Sequence, residues 1–346
     1  MNRQRMIDKR TISVIVPAYN VESCLRQSLD SVLSQSLKAS EVIVVNDGST
    51  DRTAEVARSY GDQIVYLEQD NQGQGAARNA GLAIAKGEYI AFLDADDYWL
   101  LDFLKETVAF LIAHPEAVAV STGYVINRRG KQFIGPEGLL AISSSDGNGC
   151  ILESFFDTWA NYDHVRTGTV LMRHSVIEEA GPQLEIRISQ DLEYWGYLAT
   201  FGPWGFVPKP LWTGDSHSHA IQVGWLARFR QRRRACPTVE EWQQRIVPRL
   251  KPADWTGFRI VRGRVAAHFT HSMIVDGNKE AAREIVAEYG ADMGEGRLAR
   301  VLRLGYKFGF AGWGSACAAI KLREYMRAYL IASLTKIWRS ALISRM

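Results

Sequence analysis

At 346 residues the chain is too long for one compact core, which sets an expectation of two or three domains. Its composition, 47% hydrophobic and 23% charged, is that of a globular protein, and a net charge of +3 gives no reason to expect a nucleic-acid partner. The four cysteines, Cys24, Cys150, Cys236 and Cys317, have no metal-ligand spacing and argue against a disulfide framework, so a reducing compartment is expected.

The opening MNRQRMIDKR is polar and lacks the apolar run of a secretory signal, which points to a cytoplasmic location. A first strand is expected over 12–16, from its β-branched content, and is stopped by Pro17. Asn20 stands where it can cap a helix whose Leu25, Leu29, Val32 and Leu33 share one face. A second strand, 41–45, leads into Asn46-Asp47-Gly48-Ser49, and Ser49 or Asp51 can cap a second helix running to Tyr60. A third strand (64–68), a helix (75–85) and a fourth strand (89–93) follow. Such alternation, with largely apolar strands, predicts a parallel sheet covered on both faces. Ligands of these sheets collect beyond the carboxyl ends of the strands. Asn20, Asp47 and the cluster Asp94, Asp96 and Asp97 all follow such ends.

Further along, a short strand at 118–122 opens an antiparallel excursion to about 145, with turns at Arg129-Gly130 and Gly135-Pro136. A helix at 151–159, a strand at 167–172, a helix at 190–201 and a strand at 202–207 complete the α/β part. Beyond about 224 the pattern becomes helical, with an arginine cluster at 228–234 and a helical hairpin formed by 261–275 and 279–289. The expected fold class is therefore α/β: a mostly parallel sheet flanked by helices, with a C-terminal helical extension. Residues 297–346 carry ten Lys/Arg and one acid, Glu324, so this tail is net +9 against −6 for the rest. Its longest uncharged run, 308–320, is shorter than the ~20 residues of a spanning helix. With Trp313, Tyr325, Tyr329 and Trp338, the tail reads either as a peripheral contact with an anionic membrane or as a helix of a small bundle.

Three carboxylates at one strand end repel one another and call for a positive partner. A hard divalent cation, Mg²⁺ or Mn²⁺, meets that need and leaves positions for phosphates. Helix capping by Asp97 accounts for only one of the three. Asp47, in VVNDGSTD, reads either as a turn residue or as an acceptor for an N–H such as a nucleobase imide. The segment 71–79, NQGQGAARN, is a weak dinucleotide fingerprint because it follows the third strand. It is better read as a loop that leads into a helix and brings Arg78 toward a nucleotide, although Arg78 in a surface ion pair is the plainer alternative.

Taken together, SVIVPAYNVESCLRQSLDSVLSQS, EVIVVNDGSTDRT, NQGQGAARNAGLAIAKGEYIAFLDADD and SQDLEYWGYLA resemble a family 2 glycosyltransferase of GT-A fold, over roughly 11–220. The resemblance implies an inverting transfer from a nucleotide diphosphate sugar, typically a UDP-sugar, to a hydroxyl of a saccharide or lipid-linked saccharide. It implies that Pro17, Ala18, Tyr19 and Glu22 line the nucleotide pocket, that Asp47 recognises the base, and that Arg78 lies near the nucleotide. In the DxD motif Asp94 would contact the ribose and Asp96 the metal, with Asp97 in support. His217, or else His219, would be the histidine that approaches the metal or diphosphate. Asp191 matches the catalytic base; Gln190 replaces the usual glutamate, and removing that charge is expected to lower the base's pKa slightly. The implied domains are a nucleotide-sugar half (1–120), an acceptor half (121–225) and a basic helical region (226–346). Aromatics such as Phe155, Phe156, Trp159, Tyr162, Tyr194 and Trp195 are candidates either for sugar stacking or for the core. Rival readings are a phosphatase whose DxD motif follows its first strand, a nucleotidyltransferase with a basic Gly-rich first loop, and a nucleotide-sugar-binding scaffold of weak activity. Here DxD follows the fourth strand, and PAYNVES is neither basic nor Gly-rich.

Overall fold

In the computed structural model, which describes Ile7 and residues 10–128, 131–143, 148–186, 188–215 and 236–343, ten strands join in one sheet. β1 (Ile12–Ala18), β2 (Glu41–Asp47), β3 (Val65–Gln69) and β4 (Tyr89–Phe92) form its parallel half in the order β3-β2-β1-β4. Every residue of β1 and β4 is buried, because the sheet is covered on both faces there. β3, at the sheet edge, has no fully buried residue. The helices α1 (Leu25–Leu33), α2 (Thr53–Arg58) and α3 (Gln74–Leu82) connect these strands.

The other half makes the sheet mixed. The remaining strands are β5 (Asp97–Trp99), β6 (Ala119–Arg128), β7 (Lys131–Gly135), β8 (Cys150–Ile151), β9 (Val170–Arg173) and β10 (Trp204–Asp215). β9 lies antiparallel between β4 and β6, and β10 runs parallel to β6. β5 and β8 border β10 antiparallel, while β7 pairs with the far half of β6. The helices of this half are α4 (Phe103–Ala113), α5 (Glu137–Ser143), α6 (Phe155–Tyr162), α7 (His174–Ala180) and α8 (Gln190–Leu198).

Local departures from expectation have physical causes. β1 runs through Pro17 to Ala18, because its pairing with β4 ends at Ile15↔Phe92 and no ladder N–H is needed on that side. Asn20 does not cap α1. It sits in the left-handed region at φ 52, and its Oδ1 accepts from Thr50 N at 2.7 Å, so it belongs to the contact between the β1 and β2 loops. The Asp51 side chain accepts from Thr53 N at 3.0 Å just ahead of α2, and Ser49 Oγ accepts from Asn20 N at 2.9 Å. Asp97 starts β5, not a helix. α6 begins at Phe155 rather than at 151, because Cys150–Ile151 pairs with β10 and Ser154 caps the helix through Asp157 N at 3.2 Å. The Arg129-Gly130 turn and the arginine cluster at 228–234 lie outside the described residues.

Two compact units divide the chain. The first comprises Met1–Glu185, Ser189–His219 and Arg245–Gly257; the second comprises Ile186–Ile188, Ala220–Gln244 and Phe258–Met346. α10 (Trp255–Asp276) starts in the first and continues into the second, which also holds α9 (Val239–Gln243), α11 (Lys279–Tyr289), α12 (Arg297–Lys307) and α13 (Gly309–Ile343). Within the second unit, Asp292 accepts from Arg259 and Arg262, and Trp313 Nε1 donates to Lys279 O at 2.9 Å. Among the described residues no helix is long and apolar enough to cross a membrane.

Candidate active site

The rim at the carboxyl ends of β1, β2 and β4 is built by loops that bind one another. After β1, Val21 N donates to Thr53 Oγ1 at 2.8 Å and Glu22 N to Asp51 Oδ2 at 3.2 Å. In return the Glu22 carboxylate accepts from Arg52 N at 2.9 Å and Arg52 Nε at 3.3 Å. Glu22 is thus a clasp between two loops. Pro17 is buried in β1, and Tyr19 is half-buried at its end.

Asp47 ends β2 and is 3% exposed. Its Oδ1 accepts from Gln69 Nε2 at 2.7 Å and Gln72 N at 2.9 Å, and its Oδ2 from Gly73 N at 2.8 Å. One carboxylate thereby fixes the whole loop between β3 and α3. Glycine is required at one position of that loop. Gly73 takes φ 99, which side chains avoid, whereas Gly75 packs beside Leu184 and Gln190 at a distance where a Cβ would make ordinary contact. The NQGQG segment is therefore shaped for a turn.

α3 then delivers Gln74 and Arg78 to the end of β4. Gln74 Nε2 and Arg78 Nη2 both donate to Asp94 Oδ1 at 2.7 Å. Arg78 is 1% exposed and packs over the ring of Phe92, so its charge reaches its surroundings through Asp94 rather than through solvent. Its Nε and Nη1 have no hydrogen-bond partner among the described residues. Asp94 closes a turn by accepting Asp97 N at 3.0 Å, and Asp97 pairs with Gly214 of β10. Asp96 and Asp97 are half-buried in this turn. Nearby, burial, assisted by the charges of Asp96, Asp97 and Asp51, pushes the Cys24 thiol up to about 12, so it is no nucleophile.

Asp191 stands in the first turn of α8. Burial raises its proton affinity above the ordinary carboxylate range; the Arg78 guanidinium counters this, and the Asp94 charge adds to it. The loss of a charge at Gln190 pushes the other way, but burial decides the direction. Arg78, Asp94 and Asp191, 113 positions apart at the extremes, thus form one electrostatic group.

Two supports of this group have no signal in the sequence pattern. Asn79 and Gln183 exchange a reciprocal pair of bonds, Asn79 Nδ2 to Gln183 O at 3.0 Å and Gln183 N to Asn79 Oδ1 at 2.9 Å, tying α3 to the segment before α8. Glu193, fully buried two residues after Asp191, receives both Nε (3.0 Å) and Nη2 (2.7 Å) of Arg245. Of the aromatics expected either to stack on sugars or to lie in the core, Phe155, Phe156, Trp159, Tyr194 and Trp195 are buried in the core; Tyr162 is half-buried.

Among the described residues no group of three or more His, Cys, Asp and Glu is arranged to hold a metal ion. His217 and His219 lie outside the described residues. Asp94 Oδ1 is engaged by Arg78 and Gln74, and Asp96 stands half-buried in the same turn. One carboxylate is no cage, but it matches hard cations that share a protein carboxylate with substrate phosphates.

Comparison with known proteins agrees with this geometry. Residues 13–178 match the family described as Glycosyl transferase family 2. Over 125 residues, 35% of the chain, the sequence is 40% identical to the glycosyltransferase GlyA of Streptococcus pneumoniae serotype 4, covering 18% of that protein. Over 90 residues, 25% of the chain, it is 46% identical to the uncharacterized glycosyltransferase EpsJ of Bacillus subtilis, covering 26% of it. The chain thus spans less than a third of the curated relatives it matches. The structure of S. aureus TarS 1–349 in complex with UDP-GlcNAc superposes with a TM-score of 0.56 at 17% identity, over 92% of each chain. The mannosyltransferase PcManGT from Pyrobaculum calidifontis, in complex with GDP-Man and Mn²⁺, gives 0.52 at 18% identity, over 90% of this chain and 87% of that one. At such identities these likenesses establish the GT-A fold.

Proposed function

Because residues 13–178 of this chain match glycosyl transferase family 2, we propose that the protein transfers a sugar from a nucleoside diphosphate donor, a UDP-sugar, to a hydroxyl of a saccharide or lipid-linked saccharide at an anionic membrane surface. The observation that carries this reading is the convergence of Asp94, Arg78 and Asp191 at the carboxyl ends of the parallel strands.

In this reading the residues divide the work. Asp47, held by the loop it organises, presents its carboxylate edge to the base, and the first loop with Pro17, Tyr19 and Glu22 forms the wall beside it. Asp94, oriented by Gln74 and Arg78, contacts the ribose. Arg78 positions that carboxylate and holds down the proton affinity of Asp191. Asp96 would hold Mn²⁺ or Mg²⁺ together with the donor's diphosphate, and such an ion supplies neutralisation of the leaving group. His217 is the proposed additional ligand.

Asp191, ionised, accepts the proton of the acceptor hydroxyl as its oxygen attacks the anomeric carbon. The bond to the diphosphate oxygen breaks on the opposite side, so one displacement inverts configuration. Residues 1–120 would serve the donor, 121–225 the acceptor, and 226–346 the membrane contact.

A thermal-stability screen of nucleotide sugars with and without Mn²⁺ tests the donor assignment. A cation-dependent rise in Tm with a UDP-sugar, lost in Asp96→Asn, is expected. No stabilisation by any nucleotide sugar would remove the assignment.

A further inference from the structure

The α12–α13 hairpin sorts its side chains into two faces. Inside lie Ala299, Leu302, Trp313, Ala316, Cys317 and Ile320. Small residues close this contact: a Cβ added at Gly305 would stand 2.5 Å from the Ala316 methyl, so the helices touch without large side chains between them. The large apolar groups face out instead. Leu304, Phe308, Phe310, Leu322, Tyr325 and Met326 are 54–81% exposed, an unusual concentration for one hairpin of a monomeric protein. Phe308 and Phe310 flank the turn between the helices, where Gly309 takes φ 69.

The charges on this hairpin are sorted as well. Arg297, Arg300, Lys307 and Arg323 are exposed. Arg303 turns back to Glu295 at 2.9 Å. Glu324, the one acid of 297–346, meets His271 at 3.4 Å rather than facing outward. Arg283 stacks over Phe310 at 4.4 Å, adding a cation beside the turn. Exposed aromatics on a hairpin that also exposes Arg297, Arg300, Lys307 and Arg323, while Glu295 and Glu324 are taken up in ion pairs, complement a layer of anionic headgroups over acyl chains. A second copy of the hairpin would instead set one net +9 segment against another.

We propose that the outward face of the α12–α13 hairpin seats in the headgroup region of an anionic membrane, with Phe308 and Phe310 inserted and Arg300 and Lys307 on the phosphates. The proposal rests on the reading of the acceptor as membrane-presented, not on the transfer chemistry.

Co-sedimentation of the full chain with vesicles of phosphatidylcholine alone, or mixed with phosphatidylglycerol, tests it. Wild type is expected to bind the mixed vesicles about tenfold or more better than the neutral ones, with loss on adding salt. Phe308→Ser with Phe310→Ser should weaken binding about tenfold or more. Arg300→Ser with Lys307→Ser should weaken it roughly tenfold on the anionic vesicles only. All four side chains are exposed, and circular dichroism reports whether each variant keeps its helices. Wild-type protein that stays in the supernatant, or binding unchanged in both variants, overturns the proposal. So does self-association abolished by the phenylalanine changes without vesicle binding, which would make the face an interface between copies. No donor is present, so the result is independent of whether sugar is transferred.

Discussion

Arg78 Nη2 lies 2.7 Å from Asp94 Oδ1, and the arginine is 1% exposed while the aspartate keeps 23% of its side-chain surface. The cation that three neighbouring carboxylates call for is thus, for Asp94, a guanidinium delivered by α3. The pairing gives the rim a positive charge buried beneath it.

Removing that charge should be costly. Arg78→Ala leaves a half-buried carboxylate without its partner and is expected to destabilise the fold by about 3 kcal/mol. The denaturant midpoint reads this directly. Arg78→Lys should recover only part, because an ammonium cannot hold Asp94 and fill the space over Phe92 as the planar group does.

Asp47 organises the 69–73 loop before any ligand arrives. Asp47→Ala strips partners from Gln72 N and Gly73 N, so we expect about 1–3 kcal/mol of lost stability. Donor affinity, measured by calorimetry, should fall about tenfold or more if the same carboxylate reads the base. Asp47→Asn, which keeps one acceptor, should fall between.

If Asp191 is the base, as proposed, the pH profile follows from it. Its proton is held more tightly than that of an ordinary carboxyl, chiefly through burial. A base must be ionised to act, so kcat/KM should decline on the acid side at a pH above the usual carboxylate range. Arg78 opposes the rise, so Arg78→Gln should move the acid limb to still higher pH.

His164 gives a separate test, of the fold rather than of the chemistry. It is fully buried against Phe155 and Phe206, and burial holds its pKa down to about 3 from 6.5. The unfolded chain therefore takes up a proton below pH 6.5 that the folded chain refuses until about 3. Stability should fall as pH drops through that window, and His164→Leu should flatten the slope there, as read by denaturation at several pH values.

What the sequence disclosed divides by distance along the chain. β1, β2 and β4 were legible because buried parallel strands are predominantly apolar and β-branched, and the DxD turn was legible because it follows one of them directly. The antiparallel placement of β9 between β4 and β6 was not, since pairing partners leave no local mark. Asn20 misled because a polar residue before an apolar helix resembles a cap, and only its φ of 52 shows the turn. The Arg245–Glu193 clasp spans 52 positions and the Asn79–Gln183 pair 104, so neither has a spacing that periodicity detects. Of the six aromatics left open between stacking and core, five are core residues, a distinction that composition does not make.

The measurement closest to the central claim compares wild type with Asp191→Asn in two assays, donor binding by calorimetry and sugar transfer by product formation. If Asp191 is the base, the variant binds the nucleotide sugar within about twofold of wild type while transfer drops roughly a hundredfold or more. A variant that transfers sugar at the wild-type rate would contradict the account.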